Sequence, residues 1–165
     1  VKRFAPDRAI KKAQFSPSSG KGAGLRQGGN AKGGALMASI HWEMLIDVPV
    51  AKAWAALRDV GAPHRLFAGV LTKSSLAGDT RTVTFANGME VRERIVDVDE
   101  VAHRVAYSVQ GNGFDHHHAT MQIVPAGKDR CRFVWTSDFL PAEKTATVEP
   151  LVAQGSLAMK RVLEG

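Results

Sequence analysis

From Val70 to Phe139 the chain repeats one pattern six times: a strand-length run, then a short turn signal. The runs are Val70–Leu76, Thr80–Phe85, Met89–Val98, Arg104–Val109, His116–Val124 and Arg130–Phe139. Between them stand Ala77-Gly78-Asp79, Asn87-Gly88, Asp99-Glu100, Gly111-Asn112-Gly113 and Pro125-Ala126-Gly127-Lys128. Connections this short cannot carry a crossover between parallel strands, so the runs predict an antiparallel meander. One face of such a sheet is apolar and needs a cover. The only long amphipathic segment available is C-terminal, where Leu151, Val152, Gly155, Ala158, Met159, Val162 and Leu163 recur at helical spacing. Pro150 either opens this helix in its first turn or kinks a longer one begun near Ala142.

Ahead of the meander, Ile40, Trp42, Met44 and Ile46 alternate with His41, Glu43, Leu45 and Asp47, which predicts a first strand. Asp47-Val48-Pro49 is a helix-start signal, and Val50, Ala53, Trp54 and Leu57 continue it at helical spacing. Gly61-Ala62-Pro63 ends that piece, and a second short helix is expected from His64 to Ala68. The predicted fold class is α+β: a curved antiparallel sheet of about seven strands around a long C-terminal helix, with two short helices after the first strand.

The 165 residues suit one domain, large enough for a real core. Cys131 is the only cysteine, so no internal disulfide can form, and a reducing cytoplasm is the expected location. No apolar run approaches the roughly 20 residues of a membrane span. The net charge of +6 is unevenly placed. Eight basic residues and one acid, Asp7, fall in the first 36 residues, leaving 14 basic and 15 acidic in the rest. The domain itself is thus nearly neutral, and no nucleic-acid contact through it is expected. Residues 1–36 hold seven glycines and no sustained period, the composition of a disordered tail. Three readings are open for the tail: an over-early gene start with Met37 the true one, a basic arm for an acidic partner, or a targeting peptide.

Several pieces of the domain, in order, resemble the polyketide cyclase/dehydrase branch of the START-like (SRPBCC) superfamily. They are Val48-Pro49-Val50-Ala51-Lys52-Ala53-Trp54, Asp59, Thr80-Arg81-Thr82-Val83, Asn87-Gly88, Val91-Arg92-Glu93-Arg94-Ile95, Asp99, Tyr107, Ala119-Thr120-Met121 and Phe133-Val134-Trp135-Thr136. The resemblance spans 39–165 and none of the tail. It implies the helix-grip fold, with a cavity between the concave sheet and the long helix. Members of the superfamily bind lipids, hormones, polyketides and aromatic acids, so the expected function is to hold a small hydrophobic or aromatic-acid ligand. The alternative is a cyclase or dehydrase that works without metal or cofactor. The expected partner is a small hydrophobic molecule, and the chain is a monomer or homodimer.

The hairpin at Asn87-Gly88 supplies the first candidate site. A two-residue turn would mix the apolar face of one strand with the polar face of the next. A three-residue loop, Ala86-Asn87-Gly88 with Gly88 left-handed, instead pairs Phe85 with Met89 and Val83 with Val91. The same register sets Arg81 opposite Glu93 on the inward face. Such a pair is either a self-satisfied buried ion pair or a polar anchor for a ligand carboxylate or enolate oxygen.

Asp115-His116-His117-His118 is the second candidate. The phase of Ala119, Met121 and Ile123 turns His117 inward and His116 and His118 outward. The outward pair lacks a third ligand on its face, so no metal is expected. His117 is either a proton donor and acceptor in the cavity or a satisfied core histidine. The candidate catalytic residues are therefore His117, Glu93 and Arg81. The expected ligand-binding set adds Val83, Phe85, Val91, Tyr107, Met121, Trp135, Phe67, Gly155 and Met159. Tyr107 and Trp135 lie on apolar strand phases; Gly155 either leaves room for the cavity or permits close helix–sheet packing. His64 and Arg65 are expected at the cavity mouth, with Phe67 as its gate. No nucleophile motif or phosphate loop is present.

Overall fold

The computed structural model describes residues 37–165. The expected disordered tail, 1–36, lies outside the described residues. The elements are β1 (Ala38–Ile46), α1 (Val50–Leu57), α2 (Pro63–Leu66), β2 (Leu71–Ala77), β3 (Thr80–Phe85), β4 (Glu90–Asp99), β5 (Arg104–Gln110), β6 (His116–Pro125), β7 (Cys131–Leu140) and α3 (Thr145–Glu164). A single 3-10 turn, Ala142–Lys144, leads into α3.

All seven strands form one antiparallel sheet in the order β1-β7-β6-β5-β4-β3-β2. The meander is the hairpin series expected from the turn signals. β1 adds the edge strand beyond the meander, pairing with β7 from Ala38↔Phe139 to Ile46↔Cys131. Two register shifts bend it. One lies between Leu71 and Lys73 in β2, the other between Ile95 and Asp97 in β4. The extra residue in each case is left unpaired and increases the local twist. In β4 that residue is Val96, which is 56 % exposed although flanked by strand on both sides.

The helix α3 lies against the concave face. It begins at Thr145, and Pro150 sits inside its first two turns rather than at its start. Val148, Val152, Gly155, Ala158, Met159 and Leu163 are buried. Val162, expected on the same face, is instead 43 % exposed, because Met159 and Leu163 already fill the stripe that meets the sheet. The main core joins Ile46, Trp54, Leu57, Phe67, Val83, Val105, Met121, Ile123, Phe133 and Met159. A smaller cluster, Ile40, Phe139, Val148 and Val152, closes the end where α3 begins.

Candidate functional site: a cavity between the sheet and α3

The concave face of the sheet is not completely filled by α3. A cavity of about 190 Å³ remains, walled by β2 to β7, α2 and the first half of α3. Its lining is mostly apolar, with Val83, Val91 and Met121 from the sheet and Val148, Leu151 and Val152 from the helix. Apolar walls with a few fixed polar points are the usual construction of a small-molecule site. The buried polar points of this cavity are Arg81 and Glu93 on one side, His117 and Ser137 on the other, and Asn112, Lys144 and Thr147 also border it.

The first pair depends on the β3–β4 loop. Gly88 has φ +84, Gly88 N donates to Phe85 O at 2.9 Å, and Phe85 N donates to Met89 O at 2.8 Å. This is the three-residue loop, and it sets Val83↔Val91 and Arg81↔Glu93. Arg81 Nε donates to Glu93 Oε2 at 2.6 Å. Arg81 Nη1 reaches Val60 O at 3.4 Å, and Nη2 makes no hydrogen bond among the described residues. The guanidinium carbon stands 5.1 Å from the centre of the Tyr107 ring, a cation–π contact. Burial first, and then the Glu93 carboxylate, push the Tyr107 phenol above its ordinary value. Tyr107 is therefore a neutral hydroxyl in this setting.

The second pair comes from β6 and β7. Burial alternates strictly along β6, so His117, Ala119, Met121 and Ile123 all point inward. His117 Nδ1 accepts from Val109 N at 3.2 Å, and Nε2 lies 3.1 Å from Ser137 Oγ. Phe114 meets the imidazole edge-on at 5.0 Å, Tyr107 lies 6.1 Å away and Phe139 stacks at 6.4 Å. Burial in this aromatic surround, and then the neighbouring His116 and His118, hold the His117 pKa down at about 4. The ring is neutral with both nitrogens engaged, which is the geometry of a satisfied core histidine. His116 is exposed and His118 half-buried on the other face. Among the described residues no cluster of three or more His, Cys, Asp or Glu has a metal-ligating arrangement.

Of the residues expected in the cavity wall, Phe67, Arg81, Val83, Phe85, Val91, Glu93, Tyr107, His117, Met121, Trp135 and Gly155 line it. Met159 does not: it is fully buried in the main core, one helical turn beyond Gly155. Gly155 does both things anticipated for it. It borders the cavity, and it also lets Trp135 approach so closely that a Cβ there would lie 2.9 Å from the indole Cζ3. His64 and Arg65 take no part in the wall. His64 Nδ1 is 2.7 Å from Ser74 Oγ, which donates to Gly61 O, and this ties His64 to β2. Ser137 was missed, although it shares the inward phase of Phe133 and Trp135 on β7. Lys144 and Asn112, also in the wall, gave no periodic signal; Lys144 Nζ donates to Asn112 O at 3.0 Å.

Residues 37–165 match the family described as polyketide cyclase / dehydrase and lipid transport. The chain belongs to that family. No curated protein matches the chain significantly. Solved structures with the fold of this cyclase/dehydrase family member include an uncharacterised protein from Bacillus thuringiensis, with TM-score 0.71, 16 % identity, and 76 % of this chain and 98 % of that one covered. The protein XoxI from Bacillus cereus is similar at TM-score 0.71 and 15 % identity, over 76 % of this chain and 95 % of that one. Norcoclaurine synthase from Thalictrum flavum, in complex with dopamine and hydroxybenzaldehyde, is similar at TM-score 0.59 and 20 % identity, over 86 % of this chain and 96 % of that one. Identities this low establish the shared helix-grip fold and nothing finer. Among the described residues no helix is long and apolar enough to cross a membrane.

Proposed function

We propose that the protein binds a small, largely apolar carboxylic acid, of the aromatic-acid kind, in the cavity between the sheet and α3. The observation that carries this reading is Arg81. Its Nε is held by Glu93, while Nη2 makes no hydrogen bond among the described residues, and the side chain is part of a largely apolar wall. A planar guanidinium so fixed suits a ligand carboxylate, since its orientation is set before the ligand arrives. The family description and the aromatic ligands of the norcoclaurine synthase complex support a small-molecule role for the same fold. The single cysteine, Cys131, is a buried free thiol, and a chain without an internal disulfide suits a reducing cytoplasm as the working compartment.

The cyclase or dehydrase alternative would use His117 as acid or base, with Arg81 and Glu93 at an enolate oxygen. It draws less support, because both His117 nitrogens are already engaged and its pKa lies well below neutrality. Native mass spectrometry with para-isopropylbenzoate tests the binding reading. The wild-type protein should retain one molecule, and folded Arg81→Met should retain none. Equal retention by the two proteins would remove Arg81 from the function.

A further inference from the structure

The hydrogen bonds of His117 fix the direction of a proton in the cavity wall. A backbone N–H can only donate, so the contact from Val109 N at 3.2 Å makes His117 Nδ1 an acceptor. The proton of the neutral ring is then on Nε2, and Nε2 donates to Ser137 Oγ at 3.1 Å. Ser137 is thereby the acceptor in its one hydrogen bond among the described residues, and its own O–H is unspent. Ser137 is only 1 % exposed, yet it borders the cavity. A buried hydroxyl with no acceptor is costly, and a ligand that supplies one removes the cost. Two residues back on the same strand face, the Trp135 indole Nε1 is also buried, with the Tyr107 hydroxyl nearby but no hydrogen bond made. This part of the wall offers donors in excess of acceptors.

We infer that Ser137 is a specificity-determining residue whose hydroxyl, oriented by His117, donates to an uncharged oxygen of the ligand. This rests on the proposed binding function and narrows its ligand to an apolar acid with a second oxygen acceptor, such as a ketone. Tyr107 neighbours both polar groups, its ring centre 5.1 Å from the Arg81 guanidinium carbon and 6.1 Å from the His117 ring, and both border one cavity. The second oxygen is uncharged: Ser137 and His117 are neutral, and Lys144, the other cation of the wall, is engaged by Asn112 O and the Phe114 ring.

Two near-isosteric probes test the inference: para-acetylbenzoate, which carries the ketone, and para-isopropenylbenzoate, in which a CH₂ replaces the oxygen. Calorimetric titration of the wild-type protein should show the acetyl probe binding about fivefold tighter. Ser137→Ala and Ser137→Cys should each abolish that preference, so that the two probes bind alike. The bound carbonyl stretch of the acetyl probe should also fall in frequency on the wild-type protein, a readout that stands even where a variant does not fold. Equal wild-type affinities, an unshifted carbonyl, or a preference that survives in Ser137→Ala would overturn the inference while leaving Arg81-anchored binding intact. If neither probe binds, the binding function fails, and the role of Ser137 fails with it.

Discussion

Arg81 and Glu93 face each other across β3 and β4 at 2.6 Å, with only 4 % and 8 % of the two residues exposed. Their contact follows from one glycine, because the left-handed Gly88 lengthens the loop to three residues and so selects the register. Removing one partner of such a pair strands the other charge, at a cost on the order of 3–5 kcal/mol. Arg81→Met and Glu93→Gln should each lower stability by that order in urea denaturation. The double variant should recover part of the loss, since neither charge is left alone. Strictly additive losses would mean that the two groups do not depend on each other.

His117 makes stability depend on pH. Its folded-state pKa of about 4 lies below the ordinary 6.5, so between these values the unfolded chain binds more protons than the folded one. The stabilisation is complete above the unfolded value and is lost as pH falls towards the folded one. Between pH 7 and pH 5 the wild-type protein should lose about 2 kcal/mol more than His117→Asn, as linkage requires. Parallel pH profiles for the two proteins would place the charged ring in the fold and contradict the assigned hydrogen bonds.

Gly155 brings α3 close to the sheet at Trp135. Gly155→Ala should add up to about 1 kcal/mol of helix propensity. The new methyl, however, would press on a rigid indole that also packs against Phe67 and Phe133. Overpacking of this kind costs about 1–3 kcal/mol, so the net effect should be a modest loss. Trp135 should also be displaced towards the cavity, which tryptophan fluorescence would register. A stabilised variant with unchanged fluorescence would show that the contact is slack.

Most of the fold was legible because period-two alternation and glycine-rich turns are local signals. β6 is the clearest case: the alternation of Ala119, Met121 and Ile123 set the phase of His117 correctly. The pairing of β1 with β7 was not legible, since the partners Ala38 and Phe139 are distant in sequence and no turn joins them. The bulge at Val96 was equally hidden, because an unpaired valine inside a β-rich run looks like any other strand residue. In the site, register and phase placed Arg81, Glu93 and His117. Met159 was misplaced because helical periodicity identifies a buried face without saying which part of it meets a void. Ser137 was overlooked because a small hydroxyl on an apolar phase carries little signal until its partner, 20 residues away, is seen beside it.

The central claim is that the cavity recognises a carboxylate through Arg81. The most direct measurement is calorimetric titration of the wild-type protein with para-isopropylbenzoate and with the matching amide, para-isopropylbenzamide. The two share shape and apolar surface and differ in charge. A charge-assisted hydrogen bond is worth roughly 1.5–3 kcal/mol, so the acid should bind at one site about tenfold or more tighter than the amide. Equal affinity for the two, or no binding of the acid, would contradict the account.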